Sequence, residues 1–202
     1  MGKRDRKNFE AYGDLYFVTS VVIDFLPIFT NEEVCDIFVD NLRFYQERGD
    51  YILLAWVLMP NHFHLVAKIT GLQTISAVVG NLKRMTSRQI RSLRRDEIKA
   101  SASSAPKKVW SAQEHEREVS LPKDRVWEHR FDCFVVTNED ALRQKIQYIH
   151  FNPVRKGFVE NPTEWKWSSA RDYEGASNSR VTVDHEWKCL GYLNTVPSGR
   201  GS

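Results

Sequence analysis

Between Tyr51 and Ile69 the chain reads YILLAWVLMPNHFHLVAKI, and this stretch limits the available folds more than any other. Two apolar runs, Tyr51 to Met59 and His62 to Ile69, are separated only by Pro60 and Asn61. Runs of this length and composition read as strands, and Met59-Pro60-Asn61 reads as a tight hairpin turn between them. Whatever else the chain builds must be arranged around that antiparallel pair.

The remaining signals alternate. Residues 14–23 are β-branched and aromatic and predict a first strand. Thr30 or Asn31 can cap a helix running to about Arg48, with Val34, Ile37, Phe38 and Leu42 at helical spacing and Gly49-Asp50 ending it. After Gly71, the residues Leu72, Ile75, Val78, Val79, Leu82, Met85 and Leu93 predict an amphipathic helix. Residues 96–125 are polar, contain SASSAP, and read as a loop or partly ordered insertion. Val126 to Val136 reads as a fourth strand, and Thr137 or Asn138 caps a helix from Glu139 to near Phe151, limited by Pro153. The order predicts an α+β chain: a ferredoxin-like βαββαβ antiparallel sheet with an additional C-terminal helix on the face the first two helices leave free. Residues 1–175 read as one domain, and 176–202 as a Ser/Asn/Gly-rich tail.

Charge matters through its distribution. The net charge is only +3, but from Lys83 to Lys108 nine Lys or Arg stand against two acids. Lys83, Arg84, Arg88 and Arg91 lie in the amphipathic helix, and Lys3, Arg4, Arg6 and Lys7 near the N-terminus. Such a patch is the footprint of a phosphate backbone, or else a solvated helix face. The three cysteines are widely spaced and odd in number, which argues against a disulfide framework or a cysteine zinc site. The charged N-terminus does not resemble a signal peptide, and no apolar run approaches the roughly 20 residues of a membrane span. A cytoplasmic protein, monomer or homodimer, is expected.

His62 and His64 are two apart in a predicted strand, so both imidazoles share one face while Phe63 points into the opposite layer. Two neutral imidazoles are half of a metal site and need a third ligand, usually an oxygen or amide. In the last helix Leu142, Ile146 and Ile149 cluster, and at about 100° per residue Tyr148 falls about 130° from the middle of that cluster. Asn152 follows four residues later, on the side of Tyr148. Read locally, these two residues either complete a site with the histidines or pack and terminate the helix.

The pieces together resemble a known family. MPNHFHLV (Met59 to Val66) resembles the His-hydrophobic-His signature of single-tyrosine transposases. YIHFNPVRKGFVENPTEWKWSSARDY (Tyr148 to Tyr173) resembles, almost throughout, the C-terminal signature of the REP-associated tyrosine transposases, and WEHRFDCF (Trp127 to Phe134) the strand before their tyrosine helix. The resemblance spans roughly residues 10–175. It implies that the additional helix is catalytic, with Tyr148 as nucleophile, His62 and His64 as metal ligands and Asn152 as the third ligand. It implies a divalent ion, Mg2+ or Mn2+, and single-stranded DNA folded as a hairpin of a palindromic repeat. Lys83, Arg84, Arg88, Arg91, Arg155 and Lys156 are then candidates for holding DNA, each with surface charge as its plain alternative. Trp165 and Trp167 can stack on bases or pack in the body. Two rivals stay open: a nucleic-acid-binding protein that has lost its chemistry, and a metal-dependent hydrolase using His62 and His64 without Tyr148.

Overall fold

A computed structural model describes residues 15–104, 125–175 and 180–187. Four strands, β1 (Leu15–Val21), β2 (Tyr51–Met59), β3 (His62–Ile69) and β4 (Asp132–Val135), form one sheet in the order β2-β3-β1-β4. Every neighbouring pair is antiparallel. That order, with α1 (Glu32–Glu47) after β1 and α2 (Ile75–Ser104) after β3, is the arrangement expected of a ferredoxin-like unit.

The sheet divides the interior into two cores. Val18, Leu53, Trp56, Phe63 and Leu65 meet Phe38 and Leu42 of α1 and Val79 and Leu82 of α2 on one face. Phe17, Leu54, Val57 and Val66 meet Leu142, Ile146 and Ile149 of α3 (Glu139–His150) on the other. Strand alternation sets these memberships, and one extra residue in β2 adjusts them: the register steps between Leu53 and Ala55. Beyond that bulge Val57 and Met59 pair with His64 and His62 on the α3 face. Phe63 is fully buried between Phe38 and Trp127, with ring centroids 5.0 and 5.2 Å away. A Phe in such a place is worth about 3–5 kcal/mol against alanine, so it pins the strand whose flanking residues are the two histidines.

Caps explain where helices begin. Asn31 Oδ1 accepts from Val34 N at 2.9 Å to start α1, and Asn138 Oδ1 accepts from Ala141 N at 2.8 Å to start α3. The outer edge of β2 is covered. Leu58 N donates to Trp167 O (2.8 Å), the Trp165 indole donates to Leu58 O (2.9 Å), and Tyr173 Oη donates to Leu54 O (2.8 Å). Trp165 and Trp167 are therefore packed against the body. Residues 180–187 dock there too: Val181 and Val183 are buried and Asp184 N donates to Leu53 O at 2.8 Å.

Three expectations are corrected. The second helix begins at Ile75, where Thr74 Oγ1 accepts from Ala77 N, and Leu72 lies outside it in solvent. It also runs through 96–104, because Ala and Ser do not stop a helix when no proline intervenes before Pro106; residues 105–124 of the expected insertion lie outside the described residues. The fourth strand is only Asp132–Val135, and Val126 to Phe131 reach the sheet through one bridge, Trp127 to Val22. The basic residues near the N-terminus and residues 176–179 and 188–202 of the tail fall outside the described residues. Among the described residues no helix is long and apolar enough to cross a membrane.

Candidate active site

His62 and His64 leave β3 on the α3 face with ring centroids 4.8 Å apart. Each ring is held through Nδ1. His62 Nδ1 lies 2.7 Å from Asn61 Oδ1, and His64 Nδ1 lies 2.7 Å from Thr19 Oγ1. Asn61 Nδ2 donates to Phe25 O at 3.2 Å, which turns its carbonyl oxygen toward His62. The neutral His62 ring therefore carries its proton on Nδ1 and keeps a lone pair on Nε2. His64 additionally stacks on Phe17 at 5.6 Å.

Burial pushes His62 down to about 4, with the neighbouring Asn152 side chain acting in the opposite direction and the Lys156 charge lowering it further. Burial likewise pushes His64 down to about 3, helped by the charges of His62, Arg155 and Lys145. Both rings are uncharged at neutral pH, the form in which imidazole binds a cation.

Helix α3 brings the phenol to them. Leu142, Ile146 and Ile149 bury one side, which leaves Tyr148 39% exposed at the helix margin. Its ring meets His64 edge-on at 5.1 Å and Phe17 edge-on at 5.9 Å. The tyrosine and the histidine pair, 84 residues apart at their nearest, are neighbours. Arg155 lies over the Tyr148 ring, 4.4 Å from its centroid, and donates to Tyr148 O, which caps the end of α3.

Asn152 arrives by a different route from the one helical spacing suggests. Helix α3 stops at His150, Phe151 breaks the ladder, and Asn152 opens a separate turn, α4 (Asn152–Arg155), with Pro153 next. The break buries Asn152 to 3% exposure while Tyr148 stays at the surface. Its side chain reaches His62, yet its Oδ1 has no hydrogen-bond partner among the described residues. The reason is chemical: the His62 proton is spent on Asn61, so the amide oxygen faces a ring with only a lone pair to offer. A buried acceptor left this way costs about 1–3 kcal/mol, and a cation between the two acceptors removes the conflict. Among the described residues no group of three or more His, Cys, Asp or Glu is placed to hold a metal ion, so a cation here would need an amide as its third protein ligand. Two imidazoles and one amide oxygen fit a divalent ion.

The basic residues divide between two faces. Arg155 and Lys156 are exposed beside the tyrosine. Lys83, Arg84, Arg88 and Arg91 belong to α2, across the sheet from it. Lys83 is also no surface cation: it is 9% exposed, its ammonium donates to Glu128 O (2.7 Å) and Arg130 O (3.3 Å), and burial pushes it down to about 8. Arg84 and Arg91 border an open groove of about 380 Å3 that Arg125, His129 and Phe131 also line. His150 is buried against Ser169 (2.9 Å), and His129 and His185 join no ligand set.

Sequence spacing missed Thr19, Asn61, Phe17 and Lys145. The first two fix the imidazole rings, Phe17 floors the site, and Lys145 Nζ sits 4.7 Å above the Phe17 ring. Only strand register could have found Thr19, which pairs with His64 across β1 and β3.

Residues 26–152 match the family described as transposase IS200-like. A Haemophilus influenzae protein whose name places it among the REP-associated tyrosine transposases is 24% identical over 158 residues, 78% of this chain and 80% of that one. Among solved structures, a REP-associated tyrosine transposase bound to a REP hairpin superposes with a TM-score of 0.60 at 15% identity, over 92% of this chain and 96% of that one. At that identity the second likeness is one of fold.

Proposed function

The chain belongs to the transposase IS200-like family, and from that premise we propose that it nicks and rejoins single-stranded DNA carrying a palindromic hairpin, with Tyr148 as its nucleophile. The observation that carries the reading is the Tyr148 ring standing 5.1 Å from His64, beside a buried Asn152 oxygen that lacks a partner. The likeness to a hairpin-bound REP-associated transposase supports the substrate class.

His62, His64 and Asn152 would hold a divalent cation, Mg2+ or Mn2+, which when bound offsets charge building on the scissile phosphate. The chain supplies the rest. Tyr148 Oη gives up its proton and attacks phosphorus; the new Oη–P bond forms as the P–O3′ bond breaks, and the leaving 3′ oxygen takes a proton from solvent. The product is a 5′-phosphotyrosine and a free 3′-hydroxyl. Phenolate is the better leaving group, so a 3′-hydroxyl attacking that phosphorus expels it and reseals the strand without ATP. Asn61 and Thr19 hold the imidazoles, and Arg155 and Lys156 receive the backbone flanking the cut. Arg84, Arg88 and Arg91 hold phosphates of the paired stem on the α2 face, which makes binding salt-dependent.

The test uses hairpin oligonucleotides labelled at one end or the other, with Mn2+, on a denaturing gel. The 3′ label is expected on a protein-linked band and the 5′ label on a shorter free fragment, both absent in Tyr148→Phe. Tight binding with no adduct in any metal identifies a binding protein without chemistry. Cleavage that survives Tyr148→Phe but not His64→Ala identifies a hydrolase.

A further inference from the structure

Phe134 is 56% exposed at the centre of the edge strand β4, on the face that carries the tyrosine. It pairs directly with Phe17, with ring centroids 6.4 Å apart, and Phe17 in turn touches Tyr148 and His64 at 5.9 and 5.6 Å. Lys145, one turn before Tyr148 on α3, places Nζ 4.7 Å from the Phe17 centroid and 5.6 Å from that of Phe134. One cation thus stands over two rings, and the rings run without interruption from the edge of the sheet to the phenol.

A lone exposed phenylalanine needs no explanation. This one differs in being continuous with the candidate site and crowned by an ammonium. An open aromatic face next to a cation is the chemistry that receives a nucleotide, the base on the ring and the phosphate on the charge. The acid on the same strand face, Asp132, lies opposite Thr19 in the register, level with His64, and repels phosphate there in favour of the Lys145 side. Phe134 stands two ring contacts from Tyr148, so its occupant sits within about four nucleotides of the phosphate under attack at roughly 3.4 Å per stacked nucleotide, and within fewer when the strand is extended.

We propose that Phe134 and Lys145 form a seat for one unpaired nucleotide flanking the scissile phosphate, Phe134 stacking its base and Lys145 taking its phosphate. The seat rests on the nicking reading for its substrate class and adds to it two positioning residues that touch the strand without joining the chemistry. Base–aromatic stacking tolerates any base, so the seat fixes where the strand lies rather than which sequence it has.

The probe is a stem-loop oligonucleotide with an unpaired flank of mixed sequence, and a series with an abasic site at each flank position in turn. Binding to the full chain is read by anisotropy in EDTA and adduct formation separately in Mn2+. Phe134→Ala is expected to weaken binding by roughly 5- to 150-fold, the range of one lost stack. One abasic position weakens wild type by a similar factor and has no further effect on Phe134→Ala, because both remove the same contact. Phe134→Trp keeps the affinity and Phe134→Leu loses it; both keep an apolar side chain, so a merely structural role predicts that Leu behaves as wild type. Lys145→Gln reduces the salt slope by about one phosphate contact. Wild-type binding indifferent to every abasic position, or Phe134→Leu binding as wild type, overturns the seat. A protein that senses the abasic site yet never forms an adduct refutes the nicking reading and leaves the seat standing.

Discussion

Replacing Asn152 by leucine tests the cation site through stability rather than turnover. In wild type without a divalent ion, Asn152 Oδ1 is a buried acceptor with no hydrogen-bond partner among the described residues, a burden of about 1–3 kcal/mol. Leucine has nearly the same shape and removes that acceptor. In EDTA, Asn152→Leu is therefore expected to melt at or above the wild-type temperature, against the usual trend for a residue 3% exposed. Mn2+ at about a hundred times its dissociation constant stabilises wild type by about 2.7 kcal/mol through binding to the folded state. For a chain of this size 1 kcal/mol moves the midpoint by about 2–4 °C, so the wild-type melt rises by roughly 5–11 °C. The variant, left with two imidazoles, rises by much less. Thermal melts by circular dichroism in EDTA and in Mn2+ read both effects. Equal stabilisation of the two proteins by Mn2+ refutes the amide as a ligand. A variant several degrees less stable in EDTA refutes the idea that the oxygen is an unmet acceptor.

Other expectations concern charge. Burial lowers His62 to about 4, His64 to about 3 and His150 to about 4, while unfolded histidines titrate near 6.5. Below about pH 6.5 the unfolded chain binds more protons than the folded one, so stability in EDTA falls as pH drops from about 6.5 toward 4. Urea midpoints across that range check this, and a flat profile contradicts it. Lys83→Met should leave the salt slope of DNA binding unchanged and lower stability, since its ammonium serves the carbonyls of Glu128 and Arg130. Arg88→Gln should instead reduce that slope by about one phosphate contact and leave the melt unchanged. Ser169→Ala orphans Trp56 N and His150 at a fully buried position and should cost about 1–3 kcal/mol by urea unfolding.

The fold was legible wherever a local signal coincided with a tertiary one. Strands β2 and β3 have the bounds the apolar runs suggest, because Pro60 and Asn61 leave no other place to turn. Asn31 and Asn138 mark helix starts because a short side-chain acceptor there satisfies a backbone donor within its own turn. Composition misled at 96–104, where polar residues extend a helix, and at 126–131, where Trp127 is buried by Phe29 and Phe63 rather than by strand pairing. Within the site, the shared face of His62 and His64 followed from strand alternation, but the approach of Tyr148 came only through family likeness. No spacing rule relates a residue on α3 to one on β3. The separation of the basic helix from the tyrosine, by contrast, followed from the βαββαβ order, which sets the first two helices on one face and leaves the other to the last helix.

The phenol and the amide travel on one short piece of chain, residues 139–155, whereas both imidazoles are rooted in a strand with neighbours on either side. Lifting that piece by a few ångströms would take away the proposed attacker and the proposed third ligand in a single movement and leave the rings where they are. Cutting competence in such a design is switched as a unit. On the proposed chemistry, a partially docked segment would leave the enzyme idle rather than let it cleave the strand and abandon it.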